Sequence, residues 1–514
     1  ASARMSSYYA SAAFYADNTL IKFQAFGNSE KTYQAWNGVP SYLLDTDRSY
    51  NPCGEYEEDG VKKFYNNQTD NYWQHNYHLM ASQRIGDFWN MNLTLHYTDG
   101  NGYYEDYKSK AKFSSYKLPE YIDPEGNTVK KTDLVRRKWL DNYFYGAVYS
   151  ANYQHDNTRL TLGTAVNNYV GDHFGRVMWT KSANVLPQPD YEYYRNTGKK
   201  LDYNAYAKLT QRLSPLFTGY LDLQYRGIHY TIKGNDDKAE EELDIHKNWN
   251  FFNPKAGINF HNNGHNAFVS FSVANREPNR DNFTEAGPEE RPTHETLYDY
   301  EAGYSFGNNR FRVGANLYFM DYNNQLILTG KISEALTSNI KDSYRMGIEL
   351  TGGVQITSWL NWNANVTLSQ NKIKHFVEYV DNWDTGVQEI NDLGTTNIAF
   401  SPDLIANSMF DFAYKGFIAS FNSQVVGRQY IDNSSSKDRS IDPYFINSLR
   451  IGYAFQPKFM KEITLDVTIN NLFNEKYETN AWVYSYIEND TRKKDDGYFT
   501  QAGTNAMARI TFKF

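Results

Sequence analysis

Residues 463–486 read ITLDVTINNLFNEKYETNAWVYSY and, beyond a polar stretch, residues 501–514 read QAGTNAMARITFKF. Ile463, Leu465, Val467 and Ile469 alternate with Thr464, Asp466, Thr468 and Asn470, and the closing segment alternates again through Ala506, Ala508, Ile510, Phe512 and Phe514. Period-two alternation makes a strand with one apolar and one polar face. Two such strands flanking a long polar, aromatic loop, with the chain stopping on an aromatic, describe the end of a transmembrane β-barrel whose last strand faces lipid.

Composition supports the same fold class independently. Hydrophobic residues make up only 40% of the 514 and mean hydropathy is -0.72, a thin core for a protein surrounded by water. Aromatics nevertheless reach 17%, with 44 tyrosines. A membrane barrel gives both, because one face of each strand meets lipid, the lumen and loops are polar, and Tyr and Trp collect at the interfaces. No apolar run approaches the roughly 18 residues of a helical span, which excludes a helical membrane protein. A net charge of -8 argues against a nucleic-acid partner, which requires a clustered basic face. The single Cys53 cannot form an internal disulfide or a cysteine metal site. Ala1 opens no leader segment, so the chain is expected to begin downstream of its natural start.

Alternation recurs along the whole chain: Met91, Leu93, Leu95 and Tyr97; Leu160, Leu162 and Val166; Ala267, Val269, Phe271 and Val273; Phe311, Val313, Ala315, Leu317 and Phe319; Leu360, Trp362, Ala364, Val366 and Leu368. Turn chemistry at 16–18, 86–87, 156–157, 214–215, 262–264, 308–309, 357–358 and 415–416 predicts tight connections. Between these lie long polar stretches, expected as loops over 27–71, 99–141, 171–199, 234–247, 276–294, 323–341, 376–397 and 474–500. Barrels of this kind keep tight turns on the periplasmic side and long loops outside. The pattern predicts about nineteen antiparallel strands, from Ser6–Tyr15 to Ala506–Phe514.

Several segments resemble one family. NNLFNEKY from Asn470, SVANREP over Ser272–Pro278, the ETLYDYEAG stretch Glu295–Gly303, SYRMGIELTGG from Ser343, DPYFINSLRIGY from Asp442 and QAGTN from Gln501 are similar, in order and spacing, to the TonB-dependent outer-membrane receptors, most of all those of Bacteroidetes. The resemblance implies a 22-stranded barrel behind an N-terminal plug. Residues 1–514 are then expected to be the C-terminal part of the barrel, about 19 of 22 strands, with the plug and about three strands absent. It also implies TonB-driven import of a large scarce nutrient, most of all an iron chelate (siderophore), with cobalamin, oligosaccharide or peptide as alternatives. Implied partners are the TonB complex through the plug, the barrel assembly machinery acting on Phe514, lipid and lipopolysaccharide, and a surface lipoprotein. No TonB box occurs, so no energy-coupling residue can be assigned.

Candidate ligand contacts come from aromatics in the long polar stretches: Tyr33, Trp36, Tyr103, Tyr104, Trp179, Tyr193, Trp482 and Tyr484. Rigid rings bury much area at low entropic cost and carry a polar tip. The same residue types also form interfacial girdles, which competes with ligand binding as their role. The acidic run Asp236, Asp237, Glu240, Glu241, Glu242 and Asp244 lacks calcium-loop spacing and reads as a solvated loop tip. Asp45 and Asp47 are equally ambiguous, and the histidines are scattered without a zinc pattern, so no metal site or cofactor is expected. Asn275 and Arg276 stand where a haem receptor of this kind is expected to place its axial histidine. A passive porin is the competing reading, and a barrel enzyme a third. No G-x-S-x-G nucleophile motif appears, and the protein is not expected to be an enzyme.

Overall fold

In lipid every backbone N–H and C=O needs a partner within the protein, so alternating segments must pair side by side. The computed structural model describes residues 2–123, 125–182, 185–237, 242–284, 292–328 and 337–514, and shows that arrangement. Its main sheet holds 22 strands. Three of them, Val387–Asn397, Glu478–Glu488 and Thr491–Thr500, pair only above the wall. Nineteen wall strands remain among the described residues, each antiparallel to its neighbour in chain order. The edge strands are Ala3–Ala16, paired with Thr19–Tyr33, and Asn505–Lys513, paired with Glu462–Asn470. No helix among the described residues is long and apolar enough to cross a membrane.

The register confirms which face meets lipid. Leu93, Leu95 and Tyr97 are exposed on one face of Trp89–Lys112 and sit opposite Tyr149, Ala147 and Tyr145 on Lys131–His155. Asn92, Thr94, His96 and Thr98 occupy the other face, which is the lumen side. Tight turns fall where the turn residues predicted them. Asn263 and Gly264 both adopt positive φ, at 46° and 83°. A Cβ at Gly264 would collide with the Gly307 carbonyl of the neighbouring strand, so the turn needs glycine for space as well as for backbone shape. A ninth connection, 456–461, went unrecognised in the sequence.

The expected loops are shorter than the polar stretches suggested. Trp89–Lys112 and Lys131–His155 run for 24 and 25 residues, whereas about 9–11 residues cross the hydrocarbon. The outer halves of these strands therefore rise above the membrane. There both faces are polar or aromatic, so the hydropathy pattern disappears while the backbone ladder continues. Tyr103, Tyr104, Trp179, Tyr193, Trp482 and Tyr484 consequently lie on strands, Tyr33 ends the strand Thr19–Tyr33, and only Trp36 of the eight candidates lies in an irregular loop.

The lipid face also carries an apolar depression of about 700 Å³ lined by Ile258, Val269, Phe271, Leu317 and Phe319. These are lipid-facing positions, so the depression lies on the outside of the wall. The two faces make a testable pair. Leu95→Arg is expected to cost about 2–4 kcal/mol of barrel stability, and Thr94→Arg, one residue away in the lumen, under about 1 kcal/mol; urea unfolding in lipid vesicles measures both.

Candidate ligand site in the outer vestibule

Above the membrane, on the lumen-face parity, several strands bring their polar positions together around a cavity of about 480 Å³. Thr19–Tyr33 gives Glu30, and Thr69–Ile85 gives Asp70 and Tyr72. Trp89–Lys112 gives Tyr104, Lys131–His155 gives Lys138, Thr158–Thr180 gives His173, and Tyr191–Arg212 gives Tyr194. The register explains the grouping, since Asp70 pairs with Tyr104 and Tyr104 with Lys138, while Glu30 pairs with Tyr72. Gly175 lies opposite both Lys138 and Tyr194. A Cβ there would strike the Tyr193 and Tyr194 rings, so glycine allows them to pack against the wall.

Two acids close the far side. Asp237 is ion-paired with Lys138 and lies 3.7 Å from Arg136. Asp236 accepts from Arg280 at 2.5 Å and from Asn196 at 3.0 Å. Arg280 opens the short helix Arg280–Thr284 and also contacts Asp281 at 3.1 Å. This corrects the solvated-tip reading for Asp236, which is buried, and Asp237, which is largely covered, both neutralised by cations from other segments. Local spacing could not show that, because every partner is distant in sequence. Asp244 pairs at the surface with His246 and Lys233, and Glu240 and Glu241 lie outside the described residues. Among the described residues no group of three His, Cys, Asp or Glu side chains could hold a metal.

Burial sets the protonation of the cavity. It pushes the Tyr104 and Tyr194 phenols up, so both stay neutral donors. Burial also lowers the Lys138 ammonium, with Arg136 adding repulsion, although Asp237 opposes the shift. His173 is brought down to about 4 by desolvation and then by Arg280, which keeps its ring neutral at ordinary pH.

The eight aromatic candidates separate into different settings. Trp36 is 48% exposed and meets Tyr104 edge-on at 5.1 Å, so this pair reaches the cavity rim. Tyr103 has the opposite parity and packs on Trp139 and under Arg137, at 4.4 Å each, on the outer side of the sheet. Tyr33 donates to the Cys53 and Tyr65 carbonyls and holds the first loop together. Trp179 stacks on Tyr107. Tyr193 is 3% exposed and belongs to an apolar cluster with Phe113, Leu134 and Val177, its buried hydroxyl without a hydrogen-bond partner among the described residues. Trp482 donates to the Asn37 carbonyl at 2.8 Å, and Tyr484 donates to Asp381 at 2.6 Å. Those last two dock the hairpin 478–500 between the first loop and the strand Leu360–Asn382, where Asp381 and Asn382 pair with Tyr486 and Ile487. Glu378 reinforces this junction by accepting from Arg439 at 2.8 Å and Arg492 at 2.5 Å. Sequence reasoning missed Lys138, Asp236, Asp237 and Arg280 as ligand-site residues. Strand parity carried far enough upward would have paired Lys138 with Tyr104, but nothing local marks Arg280.

The family model described as TonB dependent receptor-like, β-barrel, matches residues 13–472. The chain belongs to the TonB-dependent receptors. Solved structures of similar fold include the siderophore receptor PiuA from Acinetobacter baumannii, at 13% identity and TM-score 0.72 over 100% of this chain and 74% of that one. The ferric yersiniabactin uptake receptor FyuA from Yersinia pestis aligns at 13% identity and TM-score 0.69 over 100% of this receptor and 71% of its own chain. The ferric citrate transporter FecA aligns at 13% identity and TM-score 0.70, covering 98% and 69%. No curated protein matches the sequence. Membership places the protein in the Gram-negative outer membrane, with tight turns toward the periplasm and the cavity toward the outside.

Two outcomes test this site. Lys138→Met leaves the largely covered Asp237 with Arg136 at 3.7 Å as its remaining cation among the described residues, and is expected to cost about 3 kcal/mol in urea unfolding, the low end for a broken buried pair; adding Asp237→Leu should restore most of it. His173 gives a pH signature: the unfolded imidazole takes up a proton near pH 6.5, whereas the folded one resists until about 4. Stability is therefore lost as pH falls through that window, and His173→Gln should flatten the fall in the urea midpoint between pH 7 and pH 5.

Proposed function

We propose that this receptor captures an iron chelate at its outer vestibule and imports it across the outer membrane under TonB drive. The supporting observation is the shared fold with receptors described as siderophore, ferric yersiniabactin and ferric citrate importers, over nearly the whole of this chain. The cavity agrees in scale, at about 480 Å³ within the range of small-molecule pockets. Its aromatic and charged lining faces the lumen above the membrane, where a ligand is held before passage.

Energy coupling follows from affinity. A scarce solute needs a tight site, and tight sites release slowly, since affinity differences reside mostly in the off-rate. Work delivered by TonB through a plug inside the barrel would open the site. Side chains of the wall bind and orient the cargo. Phe514, 79% exposed at the periplasmic end of the last strand, supports the reading that barrel assembly machinery recognises the chain's terminal aromatic.

A strain deleted for the receptor should lose uptake of its radiolabelled ferric chelate and grow poorly under iron restriction. Cobalamin uptake and growth on glycans should stay at the parental level. Parental uptake of every ferric chelate offered, with loss of cobalamin or glycan use, would replace iron by that alternative.

A further inference from the structure

Among the described residues the charges around the cavity do not balance. Glu30, Asp70, Asp236, Asp237 and Asp281 line it, against Lys138 and Arg280. Arg136 adds one more cation from beside Asp237. Among the described residues these cations are all engaged: Lys138 with Asp237, Arg136 with Asp106 at 3.1 Å and Asp237 at 3.7 Å, and Arg280 with Asp236 and Asp281. His173 contributes no positive charge at neutral pH.

Glu30 and Asp70 are left over. They are diagonal neighbours on adjacent strands, since Glu30 pairs with Tyr72 and Asp70 with Thr32, and neither makes an ion pair among the described residues. Burial and then the Glu30 charge push the Asp70 carboxyl up, as expected where no cation compensates it. A second observation points at a ligand. Tyr194 is 6% exposed, lines the same cavity, and its hydroxyl makes no hydrogen bond among the described residues. In a side chain buried overall, this hydroxyl offers an open hydrogen-bonding position at the cavity, where a polar group of a ligand can be taken up.

We infer that the cavity selects a ligand carrying ammonium groups and net positive charge, an amine-bearing ferric chelate rather than a polyanionic one, with Glu30 and Asp70 as its charge contacts and Tyr194 as a hydrogen-bonding contact. Complementary charge raises both encounter and discrimination, and a polyanion would meet two uncompensated carboxylates at the mouth. This rests on the iron-chelate reading for the metal but on the wall residues alone for the charge.

Equilibrium dialysis of the purified receptor in detergent against three probes separates the two. The probes are a ferric linear trihydroxamate with a free amine, a ferric tricatecholate, and tetralysine. The amine-bearing chelate is expected to bind about tenfold tighter than the tricatecholate. The double variant Glu30→Gln, Asp70→Asn should bring the two within about threefold, and Tyr194→Phe, which removes one oxygen, should weaken the amine-bearing chelate severalfold while heat-modifiable migration stays wild-type. A tricatecholate bound as tightly or tighter, or a preference unchanged in the double variant, overturns the charge inference and leaves iron import standing. Should neither chelate bind, the iron reading is the one in difficulty, and tetralysine decides the charge: binding that disappears in the double variant upholds it, and no binding overturns it.

Discussion

Everything in this receptor depends on the absence of water inside a bilayer. An unpaired backbone amide there costs several kcal/mol, so each strand must be satisfied by its neighbours along its whole length. That constraint produces the chain-order antiparallel sheet, the tight turns that return each strand at once, and the two-residue alternation that separates lipid from lumen. Asn263 and Gly264 show how local chemistry serves the constraint: positive φ at both residues closes the hairpin, and the missing Cβ lets Gly307 approach.

Above the membrane the same ladder continues under different rules. Water is available and neither face must be apolar, so the extended strands carry charge and aromatic rings on both sides. The lumen side of Thr69–Ile85, Trp89–Lys112 and Lys131–His155 becomes the binding wall. The outer side holds a separate layer in which Tyr103, Trp139 and Arg137 stack. Loops then tie the mouth together. Hairpin 478–500 touches the first loop through Trp482 and the bridge Val39 to Tyr498, and touches Leu360–Asn382 through Tyr484 and Asp381. Aromatics that looked like ligand contacts are in several places the fasteners of this rim.

Legibility in the sequence followed the same division. Leu93, Leu95 and Tyr97 announced their strand because lipid enforces alternation, and the count of nineteen strands came from that signal together with the turns. Strand length did not, because beyond Asp99 or Gly171 the enforcing lipid is gone and the residues read as loop. Tyr104 was reachable as a polar aromatic of the mouth and lies at the cavity. Tyr193, its equal in composition, is 3% exposed and packs into an apolar cluster, which only the seating of neighbouring segments reveals. Asp236 and Asp237 looked solvated because their cations, Arg280, Lys138 and Arg136, lie tens of residues away.

By itself the sequence determined a transmembrane barrel, its inside and outside, and its kinship with TonB-dependent receptors, because these follow from nearest-neighbour patterns that a bilayer imposes residue by residue. Tertiary structure alone decided which side chains meet at the vestibule wall, which charges are neutralised there and which remain. Glu30, Asp70, Lys138, Tyr194 and Arg280 are drawn from separate segments, and only strand register and the placement of a short helix bring them within reach of one ligand.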